Sequence, residues 1–142
     1  MENNQDKSVL QENMEKEIEE IAKQNFLAWN EALKTKEASK VALLYLEEAT
    51  FLPTVSPEFK IGRTGAEDYF KHFLEKDPVG EIVAEKVQPI TPSCYLHSGM
   101  YNFVVGQGEK REAVEARFSF LWKKDNNGEW KIAHHHSSVK PK

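Results

Sequence analysis

Trp130-Lys131-Ile132-Ala133-His134-His135-His136-Ser137-Ser138 is the stretch on which the reading of the fold turns. Trp130 and Ile132 alternate with their neighbours at the two-residue period of a half-buried strand. The three histidines lie inside that pattern and have further sequence behind them, so they read as native residues rather than a purification tag. Upstream, Asp125-Asn126-Asn127-Gly128 has the composition of a hairpin turn. Before it, Phe118, Phe120 and Trp122 alternate with Arg117, Ser119 and Lys123. One face of such a hairpin packs on a core, and the other meets water or a partner.

Outward from this hairpin, strand periods are expected over about 81–89, 94–105, 110–124 and 129–138, with Gly106-Gln107-Gly108 as a second turn. A short strand over 49–52 ends at Pro53, and Pro53, Pro57 and Gly62 mark the loop that follows. The N-terminal part has a helical period. Met14, Ile18, Ile21, Ala22, Phe26, Trp29 and Leu33 share one face, behind an expected cap at Asn13 and the acidic Glu15 and Glu17. Thr35 is the expected cap of a second, shorter helix with Val41, Leu44 and Tyr45 inward. Thr64 and Glu67 have the spacing of a capping box ahead of Tyr69, Phe70, Phe73 and Leu74, and Pro78 ends that third helix near Lys76. The organisation expected is a polar leader over 1–12, one α+β domain over 13–139 and a tail over 140–142.

At 142 residues, 39% hydrophobic and 30% charged, the chain has the composition of one globular domain. Its net charge of −4 and lack of a basic stripe disfavour nucleic-acid binding, which needs clustered Lys and Arg to displace phosphate counterions. Cys94 is the only cysteine, so no intrachain disulfide forms; it reads as a small core residue. Residues 1–11 hold no apolar run of signal-peptide length and no stretch reaches a membrane span, so the expected location is cytoplasmic.

The segment Gly128-Glu129-Trp130-Lys131-Ile132-Ala133-His134-His135-His136-Ser137-Ser138, with Arg117-Phe118-Ser119-Phe120 before it and Pro141 after it, resembles the bacterial NTF2-like proteins of the SnoaL type. It is equally similar to the association (hub) domain of calcium/calmodulin-dependent protein kinase II, over roughly residues 15–141. No Gly-rich kinase loop and no His-Arg-Asp loop is present. The resemblance implies a cone, with three N-terminal helices packed on a strongly curved antiparallel sheet. It also implies self-association, as a dimer or a larger ring, and a pocket in which arginines on the middle strands bind small carboxylates. Aligned on Trp122 and Trp130, Phe120 rather than Arg117 stands at the position of one such arginine.

Strand alternation puts His134 and His136 on one face and His135 on the other. A His-x-His pair suits zinc, but His97 and Glu115 are not at diagnostic spacing for a third ligand, so no metal or other cofactor is expected. His134 or His136 is expected to reach the cone or a subunit interface, because Trp130 and Ile132 are read as sharing their face. Arg117 is a candidate for carboxylate recognition or an interface pair, and Tyr101 and Tyr95 are candidates for core aromatics with a polar tip. His134, His136, Arg117 and Tyr101 are therefore the ligand or interface candidates. Ser137 and Ser138 have no base at triad spacing and are expected to satisfy backbone groups. The function expected is an oligomeric domain with a small-molecule pocket. The alternatives are a small SnoaL- or isomerase-like enzyme with a histidine base, and a pure assembly domain.

Overall fold

Ser8 turns the chain into its first helix: its side chain accepts a hydrogen bond from the Gln11 backbone N–H at 3.0 Å. The computed structural model describes residues 8–142. Helix α1 therefore runs Val9–Lys34, its cap five residues ahead of the one expected at Asn13. The expected leader lies outside the described residues as far as residue 7, and residues 9–12 are helical. Ile18, Ala22, Phe26, Trp29 and Leu33 form its buried stripe. Thr35 closes α1 instead of capping the next helix, its hydroxyl donating to the Ala32 carbonyl at 2.7 Å. Helix α2 spans only Ala38–Ala42, and Tyr45 already belongs to a strand.

Strand β1 is Tyr45–Leu52 and pairs with the two-residue β2, Lys60–Ile61. Helix α3, Gly62–Phe73, follows at once, with Ile61 at its cap position, so Thr64 lies inside the helix and builds no capping box. Gly62 makes this junction with φ +72, and a Cβ there would stand 2.5 Å from the Glu47 carbonyl oxygen. A tight turn over Leu74–Lys76 and the left-handed Asp77 end the helical region before Pro78. Then come β3 (Val79–Thr91), β4 (Cys94–Val105), β5 (Glu112–Lys124) and β6 (Trp130–Val139).

The sheet order is β2-β1-β6-β5-β4-β3. The four long strands form an antiparallel meander, as expected, whereas β1 lies parallel to β6, with Thr50 beside His134 and Phe51 beside His135. The helices cover one face only. On that face Trp29 of α1 stacks on Tyr101 at 6.4 Å and meets Phe120 edge-on at 5.3 Å, while Phe70 of α3 stacks on Phe51. Asn30 clamps the start of β3 to α1, since its amide both donates to and accepts from the Gly80 backbone at 2.9 Å. Phe118, Phe120 and Trp122 all point into this core, as their alternation predicts.

One irregularity decides the site. Trp122 pairs with Ile132 but Leu121 pairs with His134, so Ala133 is an extra residue in β6. Because strand alternation has a period of two, one extra residue exchanges the faces of everything beyond it. Ile132 and His135 consequently share the buried face, so of the two places expected for His134 or His136, the cone or a subunit interface, the cone is corrected: the histidine there is His135.

Candidate functional site

His135 is 1% exposed and lies between two aromatic rings, stacked on Phe120 at 4.0 Å and on Phe51 at 4.8 Å. Both ring nitrogens have partners. Nδ1 is 2.8 Å from the Tyr45 hydroxyl and Nε2 is 3.3 Å from the Tyr101 hydroxyl. Proton counting fixes the direction of this network. An indole N–H can only donate, and that of Trp29 donates to Tyr45 Oη at 3.2 Å, leaving the Tyr45 proton for His135 Nδ1. Tyr101 spends its single proton on Ser137 Oγ at 2.6 Å, so its oxygen accepts from His135 Nε2–H. Ser137 in turn contacts the Thr54 hydroxyl, and Tyr69 donates to the Thr54 carbonyl at 3.1 Å. The chain of donors runs from Trp29 through Tyr45, His135 and Tyr101 to Ser137, whose hydroxyl contacts that of Thr54.

Burial holds His135 neutral, well below the ordinary histidine value of 6.5, with His134 and His136 adding to the same effect. Burial likewise raises the Tyr45 and Tyr101 hydroxyls far above 10.0, so both remain protonated donors. The imidazole of His135 is thus neutral, fixed in one tautomer and occupied at both nitrogens.

What space remains is small. Trp29, Phe73, Phe103, Tyr101, His135 and Ser137 are among the residues around a void of ≈ 10 Å³, at the lower limit for one water molecule. None of the ten described residues lining it is Asp, Glu, Lys or Arg. A second buried histidine, His97, lies further along the same face, with Nε2 2.8 Å from the half-exposed Glu85 carboxylate of β3 and Nδ1 buried without a partner. Burial pulls its pKa down and Glu85 opposes the shift.

The residues singled out from sequence are divided between the two faces. Tyr101 is in the cone, fully buried. Tyr95 is also buried, its hydroxyl accepting from Asn25 Nδ2 at 2.8 Å. His134 is half-buried on the outer face, 2.6 Å from the Thr50 hydroxyl, and burial followed by His136 lowers its pKa. His136 and Arg117 are exposed on that outer face. Among the described residues lining the cone there is accordingly no arginine to meet a carboxylate. Ser137 does not serve backbone groups as expected, but joins Tyr101 to Thr54. Sequence reading missed His135, Tyr45 and Thr54; the signal for His135 was the histidine run itself, read one residue out of phase. Among the described residues, no group of three or more His, Cys, Asp or Glu is placed to hold a metal ion.

The buried histidines determine how acid acts on this protein. In the unfolded chain they take up protons below about 6.5, whereas the folded chain holds His135, His97 and His134 neutral to lower pH. The unfolded state then binds more protons, so stability falls with decreasing pH, with a limiting slope of about 1.4 kcal/mol per unit for the fully buried His135 and smaller contributions from His97 and the solvent-screened His134. The depressed carboxylates, Asp68, Asp77 and Asp125, act only below about 3.8 and leave this window clear. Thermal melts between about pH 7.5 and 4.5 are expected to show a Tm falling steadily from about 6.5 downward. A flat profile would contradict it.

Comparison with known proteins agrees with this architecture. A crystal structure from Xanthomonas campestris, described as a calcium/calmodulin dependent protein kinase II association domain, is 38% identical over 87% of each chain, with a TM-score of 0.82. An NTF2-like family protein from Streptomyces avermitilis, titled a dehydratase, is 13% identical over 90% of this chain and 99% of its own, with a TM-score of 0.75. A protein titled a scytalone dehydratase, from Novosphingobium aromaticivorans, is 8% identical over 91% and 88%, with a TM-score of 0.77. At such identities the last two share the NTF2-like fold alone. No curated protein matches the chain. Residues 15–141 match the calcium/calmodulin dependent protein kinase II association domain, and the chain belongs to that family.

Proposed function

We propose that the protein is an oligomeric domain that assembles through the outer face of its sheet and holds an uncharged small molecule in the cone, without acid–base chemistry of its own. The observation that carries the assembly is the composition of the outer face. Leu96, Met100 and Val104 of β4 and Leu121 of β5 are half-buried there, with Leu96 directly opposite Leu121. An outer face meant only for water would be polar at these positions. Covering a patch of this kind is the usual reason for self-association. Arg117 and His136, exposed beside Met100 and Ser119, supply a polar rim, which gives both an interface role.

The observation against a histidine-catalysed reaction is the donor chain. A general base needs a free lone pair within reach of the proton it removes, and His135 has already committed Nδ1 to Tyr45. The polar groups left to meet a ligand are hydroxyls, which favours a neutral, hydrogen-bonding molecule over a carboxylate.

Light scattering at micromolar concentration is expected to give a mass that is a multiple of 16.3 kDa. Met100→Glu or Leu121→Glu should shift the protein to monomer while preserving its far-ultraviolet spectrum, because each charge would have to be buried at the interface. A wild-type protein of single-chain mass would overturn the assembly.

A further inference from the structure

We propose that residues 53–59 form a lid over the cone, latched by Thr54 on Ser137, and that its opening admits a planar, uncharged molecule bearing one hydroxyl. This rests on the reading of the cone as a small-molecule site. Three cavities meet at this segment. The ≈ 10 Å³ internal void is lined by Thr54, Tyr69, Phe73 and Ser137. A cleft of ≈ 270 Å³ on one side of the segment shares Tyr69 and Phe73 with that void, and one of ≈ 380 Å³ on the other side shares Ser137. Val55, Ser56 and Glu58 line both clefts, so the segment is the wall between them, and through Thr54 it also closes one side of the cone.

The wall is weakly built. Val55 is a β-branched residue at φ +52, a conformation such side chains avoid, and its side chain is 66% exposed, so no packing compensates the strain. Phe59 is also exposed. The hydrogen bonds from the segment to the cone residues are the Thr54–Ser137 hydroxyl contact and the Tyr69 donation to the Thr54 carbonyl. Moving Thr54 outward would free Ser137 Oγ and open the void along Tyr69 and Phe73. The inner end of the chamber so formed has aromatic walls and hydroxyls and no Asp, Glu, Lys or Arg among its described lining residues, whereas Glu58, Lys60, Asp68 and Lys76 stand around the cleft at its mouth; the inner end has the chemistry that recognises a phenol-like molecule.

The test uses the latch itself. Because the two hydroxyls touch, cysteines at these positions are within bridging reach. The variant Thr54→Cys/Ser137→Cys is made in a Cys94→Ser chain that also carries Trp122→Phe and Trp130→Phe, leaving Trp29 as the only tryptophan. Acrylamide, small and neutral, reports access to Trp29, and 2-naphthol serves as the ligand probe. The reduced protein is expected to show at least about twofold stronger quenching and about tenfold tighter naphthol binding than the oxidised protein, with reductant reversing both. Val55→Gly, which relieves strain only in the closed form, should lower quenching in the same direction as the disulfide. Equal quenching in the oxidised and reduced forms, with Val55→Gly unchanged, would overturn the lid even if naphthol binds. Quenching that responds while the wild-type protein, with both hydroxyls in place, binds no naphthol would keep the lid and overturn the ligand class.

Discussion

Replacing His135 with alanine is expected to remove about 3–5 kcal/mol of stability, a large part of the roughly 5–15 kcal/mol that holds a domain of this kind together. Two losses combine. The ring fills the gap between Phe120 and Phe51, and its removal leaves a cavity in a region whose present void is only ≈ 10 Å³. The Tyr45 proton also loses its acceptor and the Tyr101 oxygen loses a donor, each buried and out of reach of water. An orphaned buried polar group costs about 1–3 kcal/mol. His135→Phe separates the two effects: it restores the stacked ring but still strands Tyr45, so a loss of about 1–3 kcal/mol is expected. His134→Asn and His136→Asn, outside the cone, should each cost less than about 1 kcal/mol. Urea unfolding of all four variants at one protein concentration makes the comparison, since dimerisation would add its own stability. A His136→Asn variant as damaged as His135→Ala would show that the placement of the histidine run is wrong.

Gly99→Ala is expected to cost about 3 kcal/mol or to yield insoluble protein, the largest effect expected of a single added methyl. Gly99 stands in the middle of β4 where β3 folds closely across it. Tyr101 pairs with Ile82 but Met100 pairs with Ala84, so Val83 is an extra residue and the strand bends over the glycine. A Cβ built on Gly99 would lie 2.0 Å from the Ala84 carbonyl oxygen and 2.8 Å from Glu85 Cα. Both are backbone atoms, so no side-chain rotation relieves the overlap. The sheet would have to open between β3 and β4, which also separates Glu85 from His97. Gly80→Ala is the control, because its Cβ would meet only ordinary contacts of 3.4–3.5 Å; it should change stability by less than about 1 kcal/mol. Thermal or urea unfolding decides, and equal effects at the two glycines would refute the crowding argument.

Much of this fold was legible from local pattern because local pattern is what periodicity records. The alternation of Phe118, Phe120 and Trp122 needed only a strand with one buried face, and the structure has it. The stripe from Ile18 to Leu33 needed only a helix lying on that face. Strand β4 and the Asp125–Gly128 turn likewise appear where the residues place them. Local reading failed at helix starts. Asn13 and Thr64 have capping chemistry, but α1 is capped by Ser8, and α3 begins where Gly62 passes close to the Glu47 carbonyl.

The site itself was decided by tertiary pairing. That β1 lies parallel to β6 cannot be inferred from either strand alone, yet it brings Tyr45 and Phe51 to His135. The identity of the buried histidine rests on one extra residue, Ala133, whose presence depends on how β6 pairs with β5. The sequence by itself placed a histidine run on a strand of an α+β domain and led to the expectation that His134 or His136 reaches the cone or a subunit interface. Which of them enters the cone was settled only by the sheet, because a bulge is a property of two paired strands and a one-residue slip exchanges both faces.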